Sequence, residues 1–130
     1  MRIHHVGMVV ANIESTVEYL KAMGGGVRTP VYEDPNQKSY VQFVNLGGLT
    51  IELLSPMSED SPVAQSVKTR RRLHHLCYEV EHFDKELAKW DSEGRKIVSK
   101  PKSAKAFQGR RVAFFMTKEG DLFELLEAEK

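Results

Sequence analysis

Ile3-His4-His5-Val6-Gly7-Met8-Val9-Val10 opens the chain, and Leu73-His74-His75-Leu76-Cys77-Tyr78-Glu79-Val80 repeats its pattern 70 residues later. Four of the five histidines fall in these two pairs. Ile51-Glu52-Leu53-Leu54 likewise returns as Phe123-Glu124-Leu125-Leu126 at offset 72, and Phe43-Val44-Asn45-Leu46 matches Phe114-Phe115-Met116-Thr117 at offset 71. An internal repeat dictates the fold more strongly than any single motif. A duplication that served only a core would repeat apolar residues. Here a histidine and a glutamate recur as well, and neither is buried without a partner.

The segments between the marks correspond too. Asn12 is a predicted N-cap for a helix over Glu14–Met23, stopped by Gly24-Gly25-Gly26. Its apolar stripe, Val17 and Leu20, recurs as Leu87 and Trp90 in a helix predicted over Asp84–Glu93, stopped by Gly94. Each half then holds three strand-like runs. They are Val27–Tyr32, Tyr40–Leu46 and Thr50–Leu54 in the first half. In the second they are Lys96–Lys100, Arg111–Met116 and Asp121–Leu126. Gly47-Gly48 and Glu119-Gly120 are turn signals before the last strand of each half. The expected class is α+β: two βαβββ modules in tandem, residues 1–56 and 73–130, forming a cupped mixed sheet. The connector, 57–72, holds a short helix expected to open at Ser61-Pro62, with proline at its first position.

The 130 residues suit one domain. With 41% hydrophobic and 28% charged residues the chain reads as globular rather than disordered. A net charge of +1 gives no electrostatic footprint for nucleic acid or an anionic membrane surface. No apolar run reaches the roughly 20 residues of a membrane span, and the first residues lack a secretory signal's apolar core. A single cysteine, Cys77, makes no internal disulfide, which points to a reducing, cytoplasmic setting. Cys77 is expected to be a buried strand residue and Trp90 part of a helix-to-sheet core.

Adjacent strand residues face opposite ways, so one histidine of each pair points into any shared interior. His74 is in phase with Leu76, Tyr78 and Val80, a row suited to packing under a helix, and His4 is in phase with Val6, Met8 and Val10. His75 shares its row with Cys77 and Glu79, and His5 shares its row with Gly7. The phase selects His5 and His75. Glu52 and Glu124 follow them at separations of 47 and 49 residues, each flanked by apolar neighbours. Pairing of the halves about a pseudo-twofold axis would join two imidazoles and two carboxylates. That mixed set suits a divalent ion such as Co, Mn, Ni, Fe or Zn, with room for substrate.

These stretches, together with Phe43-Val44-Asn45-Leu46-Gly47, Leu54-Ser55-Pro56, Asp60-Ser61-Pro62-Val63 and Gly109-Arg110-Arg111-Val112, resemble the vicinal oxygen chelate superfamily over nearly the whole chain. This is the superfamily of glyoxalases, bleomycin-resistance proteins and dioxygenases, and the resemblance is closest to its methylmalonyl-CoA epimerase branch. The resemblance implies that His5, Glu52, His75 and Glu124 are metal ligands. It also implies that Glu124, and secondarily Glu52, are the catalytic carboxylates. Phe107, Gly109, Arg110 and Asn36 are the implied substrate contacts. The branch carries a second catalytic glutamate in a Pro-Glu-x-Gly-Val context. This chain reads Asp34-Pro35-Asn36-Gln37-Lys38 there, and asparagine takes up no proton at neutral pH.

The chemistry implied is metal-assisted proton transfer beside a carbonyl or thioester, in an isomerase, epimerase or lyase, epimerase-like or lactoylglutathione lyase-like. An epimerase needs a proton-handling group on each face of the carbon, whereas a glyoxalase-type isomerase works on one. Lys68, Arg70, Arg71, Arg72, Lys100, Lys102, Lys105, Arg110 and Arg111 are cations that acyl-CoA phosphates would attract, or a solvated surface. The expected partner is a small molecule, with acyl-CoA or another thioester favoured, in a homodimer without nucleic acid or membrane. Three other readings stay open: an extradiol-type Fe(II) dioxygenase, which needs two histidines and one carboxylate; a small-molecule or antibiotic-binding resistance protein; and an accessory domain of a larger biosynthetic protein.

Overall fold

The computed structural model describes residues 1–129. They form nine strands and three helices, a mixed α+β fold in which each half of the sequence repeat reads β-α followed by strands. Contacts group them into two compact units. One is His5–His74, and the other joins residues 1–4 to residues 75–129.

In the first unit β1 (Arg2–Val9) runs parallel to β5 (Leu49–Pro56). β4 (Ser39–Leu46) is antiparallel to β5 through a hairpin closed by Gly47 and Gly48. Both glycines have positive φ, 56° and 83°, which a type I′ turn demands and which the Gly-Gly pair supplies without strain. Helix α1 (Ile13–Ala22) starts where the sequence predicts, with Asn12 Oδ1 accepting the Ser15 N–H at 2.9 Å. Its inner face, Ile13 and Leu20 with Val17, packs on Val44, Ile51 and Leu53.

After α1 the chain turns at Gly24 and runs back along β4. At Gly25 a Cβ would lie 2.8 Å from the Asn45 carbonyl oxygen and 2.9 Å from that of Leu20, both backbone atoms with no slack. Gly25→Ala is therefore expected to cost about 2 kcal/mol as overpacking. A urea denaturation midpoint that falls without a change in slope would show it.

The run expected as one strand over 27–32 is two: β2 (Gly26–Val27) and β3 (Tyr32–Asp34), each antiparallel to β4. Arg28 and Thr29 both donate their N–H to the Phe43 carbonyl, which makes a bulge, and Pro30 has no N–H to continue the ladder. The connector helix α2 (Ala64–Lys68) starts two residues beyond Pro62, not at it. Ser61 is fixed by donating its hydroxyl to the Gln37 carbonyl, and its own carbonyl accepts the Ala64 N–H in a preceding turn.

The second unit repeats the plan. β6 (Leu73–Val80) is parallel to β9 (Leu122–Glu127), and β8 (Arg111–Met116) is antiparallel to β9. β7 (Lys96–Ser103) is longer than expected and runs through Pro101 beside β8, with register shifts on either side of Ser99. Helix α3 (Phe83–Ser92) lays Phe83, Leu87 and Trp90 on Tyr78, Phe115, Phe123 and Leu125, with Trp90 and Phe115 ring centroids 5.1 Å apart. Trp90 is thus core, and Cys77 is fully buried in β6. No helix among the described residues is long and apolar enough to cross a membrane.

Candidate metal centre

The parallel pair β1–β5 sets Gly7 beside Glu52. His5, two residues earlier in β1, shares that face. Its Nε2 lies 3.7 Å from Glu52 Oε1. The His5 side chain is fully buried and that of Glu52 is 12% exposed. Phe43 stands opposite Glu52 on β4, and its ring meets His5 edge-on at 5.4 Å.

The second unit builds the same arrangement from equivalent residues. The register of β6 and β9 sets Cys77 beside Glu124. His75 Nε2 lies 3.2 Å from Glu124 Oε1, and both side chains are buried. Phe114 stands opposite Glu124 on β8 and meets His75 edge-on at 5.6 Å. Each phenylalanine walls its imidazole in, so Nε2 in each ring is turned toward a carboxylate in a dry setting.

These donors fit a divalent cation. An ion about 2.1 Å from both partners would hold them about 3.0 Å apart in octahedral geometry and about 3.4 Å in tetrahedral geometry. The 3.2 Å pair falls inside that interval and the 3.7 Å pair just beyond it. Imidazole with carboxylate is the donor chemistry of Mn, Fe, Co, Ni and Zn sites. The phase argument is met as well: His4 and His74 lie on the opposite row and are only partly buried, with His4 edge-on to Phe107 at 5.4 Å.

Residues 4–114 match the model of the glyoxalase/bleomycin resistance protein/dioxygenase superfamily. The chain is 32% identical to the mitochondrial methylmalonyl-CoA epimerase of Homo sapiens, over 98% of its own length and 74% of the relative's. It is 30% identical to the ethylmalonyl-CoA/methylmalonyl-CoA epimerase of Cereibacter sphaeroides, over 95% and 96%. The chain belongs to the methylmalonyl-CoA epimerase family of that superfamily. The crystal structure of the Mycobacterium tuberculosis methylmalonyl-CoA epimerase superposes with a TM-score of 0.83 over 98% of this chain and 88% of that one. At 23% identity it attests the shared fold.

The resemblance read from the histidine and glutamate marks is thereby established, as is the α+β glyoxalase-like class. The chain is an enzyme of the glyoxalase type, in a metal-dependent family. The dioxygenase and resistance-protein readings belong to other branches of the same superfamily.

Farther along the His75 row of β6 the epimerase-family chain holds a polar cluster that its sequence does not advertise. Glu79 lies on the His75 row, buried, and its two oxygens accept from Arg110 Nη1 at 2.7 Å and from Arg2 Nε. Burial pushes the Glu79 carboxyl up, but hydrogen bonds from Arg110 and Arg2, with the charges of Arg2 and His4, hold it below the ordinary carboxylate value. Arg110 also donates to the Phe107 and Glu127 carbonyls and lies over the Phe107 ring. Phe107 itself is buried. Arg111 makes a two-pronged contact with Asp84 at 3.0 Å and binds Glu127 at 2.8 Å, which raises its own pKa and lowers that of Asp84. Gly109, with φ of 82°, sits on an open pocket shared with Gln108 and Glu129. Asn36 sits in an exposed turn, where its backbone N–H donates to Asp34 Oδ1 at 3.0 Å.

Proposed function

We propose that His5, Glu52, His75 and Glu124 together hold one divalent cation and that the chain moves the α-proton of a methylmalonyl-CoA-like acyl-CoA thioester. The observation that carries this reading is the congruence of the two His–Glu–Phe triplets, joined to the names of the relatives. A cation held there would polarise the thioester carbonyl and stabilise the enolate oxygen as charge develops. Glu124 takes the proton from the α-carbon, and Glu52 completes the donor set. Phe43 and Phe114 exclude water from the imidazoles. The Phe107–Arg110 loop faces the carrier end of the substrate, with Gly109 leaving its backbone open to approach. Arg110 shapes this loop but brings little charge of its own, because Glu79 neutralises it. We further propose a homodimer in a reducing, cytoplasmic compartment.

Elemental analysis should find about one divalent ion per chain. Incubation with methylmalonyl-CoA in D2O should place deuterium at the α-carbon, and a strong chelator should stop it. A metal-free preparation with full exchange refutes the reading. His75→Ala is expected to lose more than about 100-fold in metal affinity, since changes even outside the ligand set cost 10- to 100-fold. Its Tm should then no longer rise on addition of Mn, Co or Zn.

A further inference from the structure

Epimerisation takes a proton from one face of a carbon and returns one to the other, so two proton-handling groups are required. Asn36 cannot be the second, because its amide does not titrate and it lies in an exposed turn. The strand register of the first unit shows which residue can be. Tyr32 pairs with Val41, and Val41 pairs with Leu54. Cross-strand partners share a face, as do residues two apart on one strand. Tyr32 therefore lies on the face of Phe43 and Glu52, opposite the face where Val44, Ile51 and Leu53 pack on α1. Glu33, paired with Tyr40, is turned the other way, and both are exposed.

Asp34 shares the Tyr32 face but pairs with Ser39, four residues along β4 from Phe43, or about 13 Å. Tyr32 is one row closer, two residues or about 6.6 Å along, and two strands across at about 4.8 Å each. The half-buried Tyr32 side chain is long enough to cross much of that gap, and that of an aspartate is not.

We propose that the Tyr32 hydroxyl is the second acid–base group, an assignment that rests on the α-proton reading above. The carboxylate base removes the α-proton from one face to give the enolate. The Tyr32 O–H then donates its proton to the opposite face of the same carbon. The inverted thioester leaves behind a phenolate and a protonated carboxyl group, which exchange protons with solvent to restore the starting state. In reverse the phenolate removes the proton and the carboxyl group returns one.

The test uses the metal-loaded full chain with single-enantiomer methylmalonyl-CoA in D2O, following α-deuterium by mass spectrometry and configuration by circular dichroism. In Tyr32→Phe, inversion of either enantiomer is expected to fall about 100-fold or more, while exchange stays within about threefold for the enantiomer whose α-proton faces the carboxylate and falls together with inversion for the other. Metal content stays unchanged. Asp34→Asn should invert normally. Inversion intact in Tyr32→Phe, or lost in Asp34→Asn alone, overturns the assignment and leaves the α-proton reading standing. Exchange without inversion in the unaltered chain also overturns it. If the unaltered chain neither exchanges nor inverts, the α-proton reading fails and the assignment fails with it. Should Tyr32→Phe not fold, Tyr32→His, which keeps a proton-handling ring, must retain inversion or the assignment fails.

Discussion

Glu124→Gln is expected to lower α-proton exchange by about 10³-fold, within the range that a general base supplies. The substitution keeps the length and shape of the side chain, so β9 and the edge-on contact of His75 with Phe114 should persist. An amide oxygen can still approach a cation, but it cannot accept the α-proton. The expected result is therefore a protein of near-normal Tm that retains metal and binds thioester, with kcat reduced and KM little changed. His75→Ala should separate from it cleanly, because that variant loses metal first and activity as a consequence. Glu52→Gln should lie between the two. Glu52 is the more exposed carboxylate and sits farther from its imidazole than Glu124 does, 3.7 against 3.2 Å. Exchange kinetics in D2O with metal content measured on the same samples decide among these outcomes. Undiminished exchange in Glu124→Gln would move the base to another residue.

The residues that form the two pairs were legible because strand alternation is local. A period of two selects His5 over His4 and His75 over His74 without any knowledge of the partner strand. The repeat then carries the same choice to Glu52 and Glu124. What alternation could not reach was set by interruptions and by distance along the chain. The bulge at Arg28 and Thr29 and the proline after it reset the phase, so a single strand over 27–32 gives no valid facing for Tyr32. Only the paired register with Val41 fixes it. The start of α2 was displaced by the hydroxyl of Ser61 reaching back to Gln37, 24 residues away. Arg110 reads in the sequence as a cation for substrate, while the structure gives it to Glu79, 31 residues away on a strand that is not its neighbour in the chain. Buried charge pairs of this kind have no local signature, although a glutamate in phase with buried His75 and Cys77 requires a cation somewhere.

That requirement makes the Glu79–Arg110 pair the second place where one substitution should have a large effect. Arg110→Ala removes the more buried partner and leaves Glu79 with Arg2, whose side chain is 76% exposed and screened by solvent. Breaking a buried pair from one side costs about 3 to 5 kcal/mol, chiefly because the remaining charge stays desolvated. Arg2→Ala should cost less than about 1 kcal/mol by the same reasoning. Replacing both members, as in Glu79→Met with Arg110→Met, should be milder than Arg110→Ala, since no charge is then left buried. The pH dependence follows from the direction of the Glu79 shift. In the unaltered chain the folded carboxyl titrates below its ordinary value of 4.5, so its contribution is present above that pH and fades as pH falls through the lowered value. In Arg110→Ala one of the hydrogen bonds that hold the carboxyl down is lost while burial still opposes ionisation, so it would titrate higher than in the unaltered chain. Protonation then relieves the variant just as acid removes the advantage of the unaltered chain. Urea unfolding at pH 7 and pH 4 should therefore show the largest gap at pH 7 and a markedly smaller one at pH 4. A gap independent of pH would mean that Arg110 stabilises the fold by packing over Phe107 and not by neutralising Glu79.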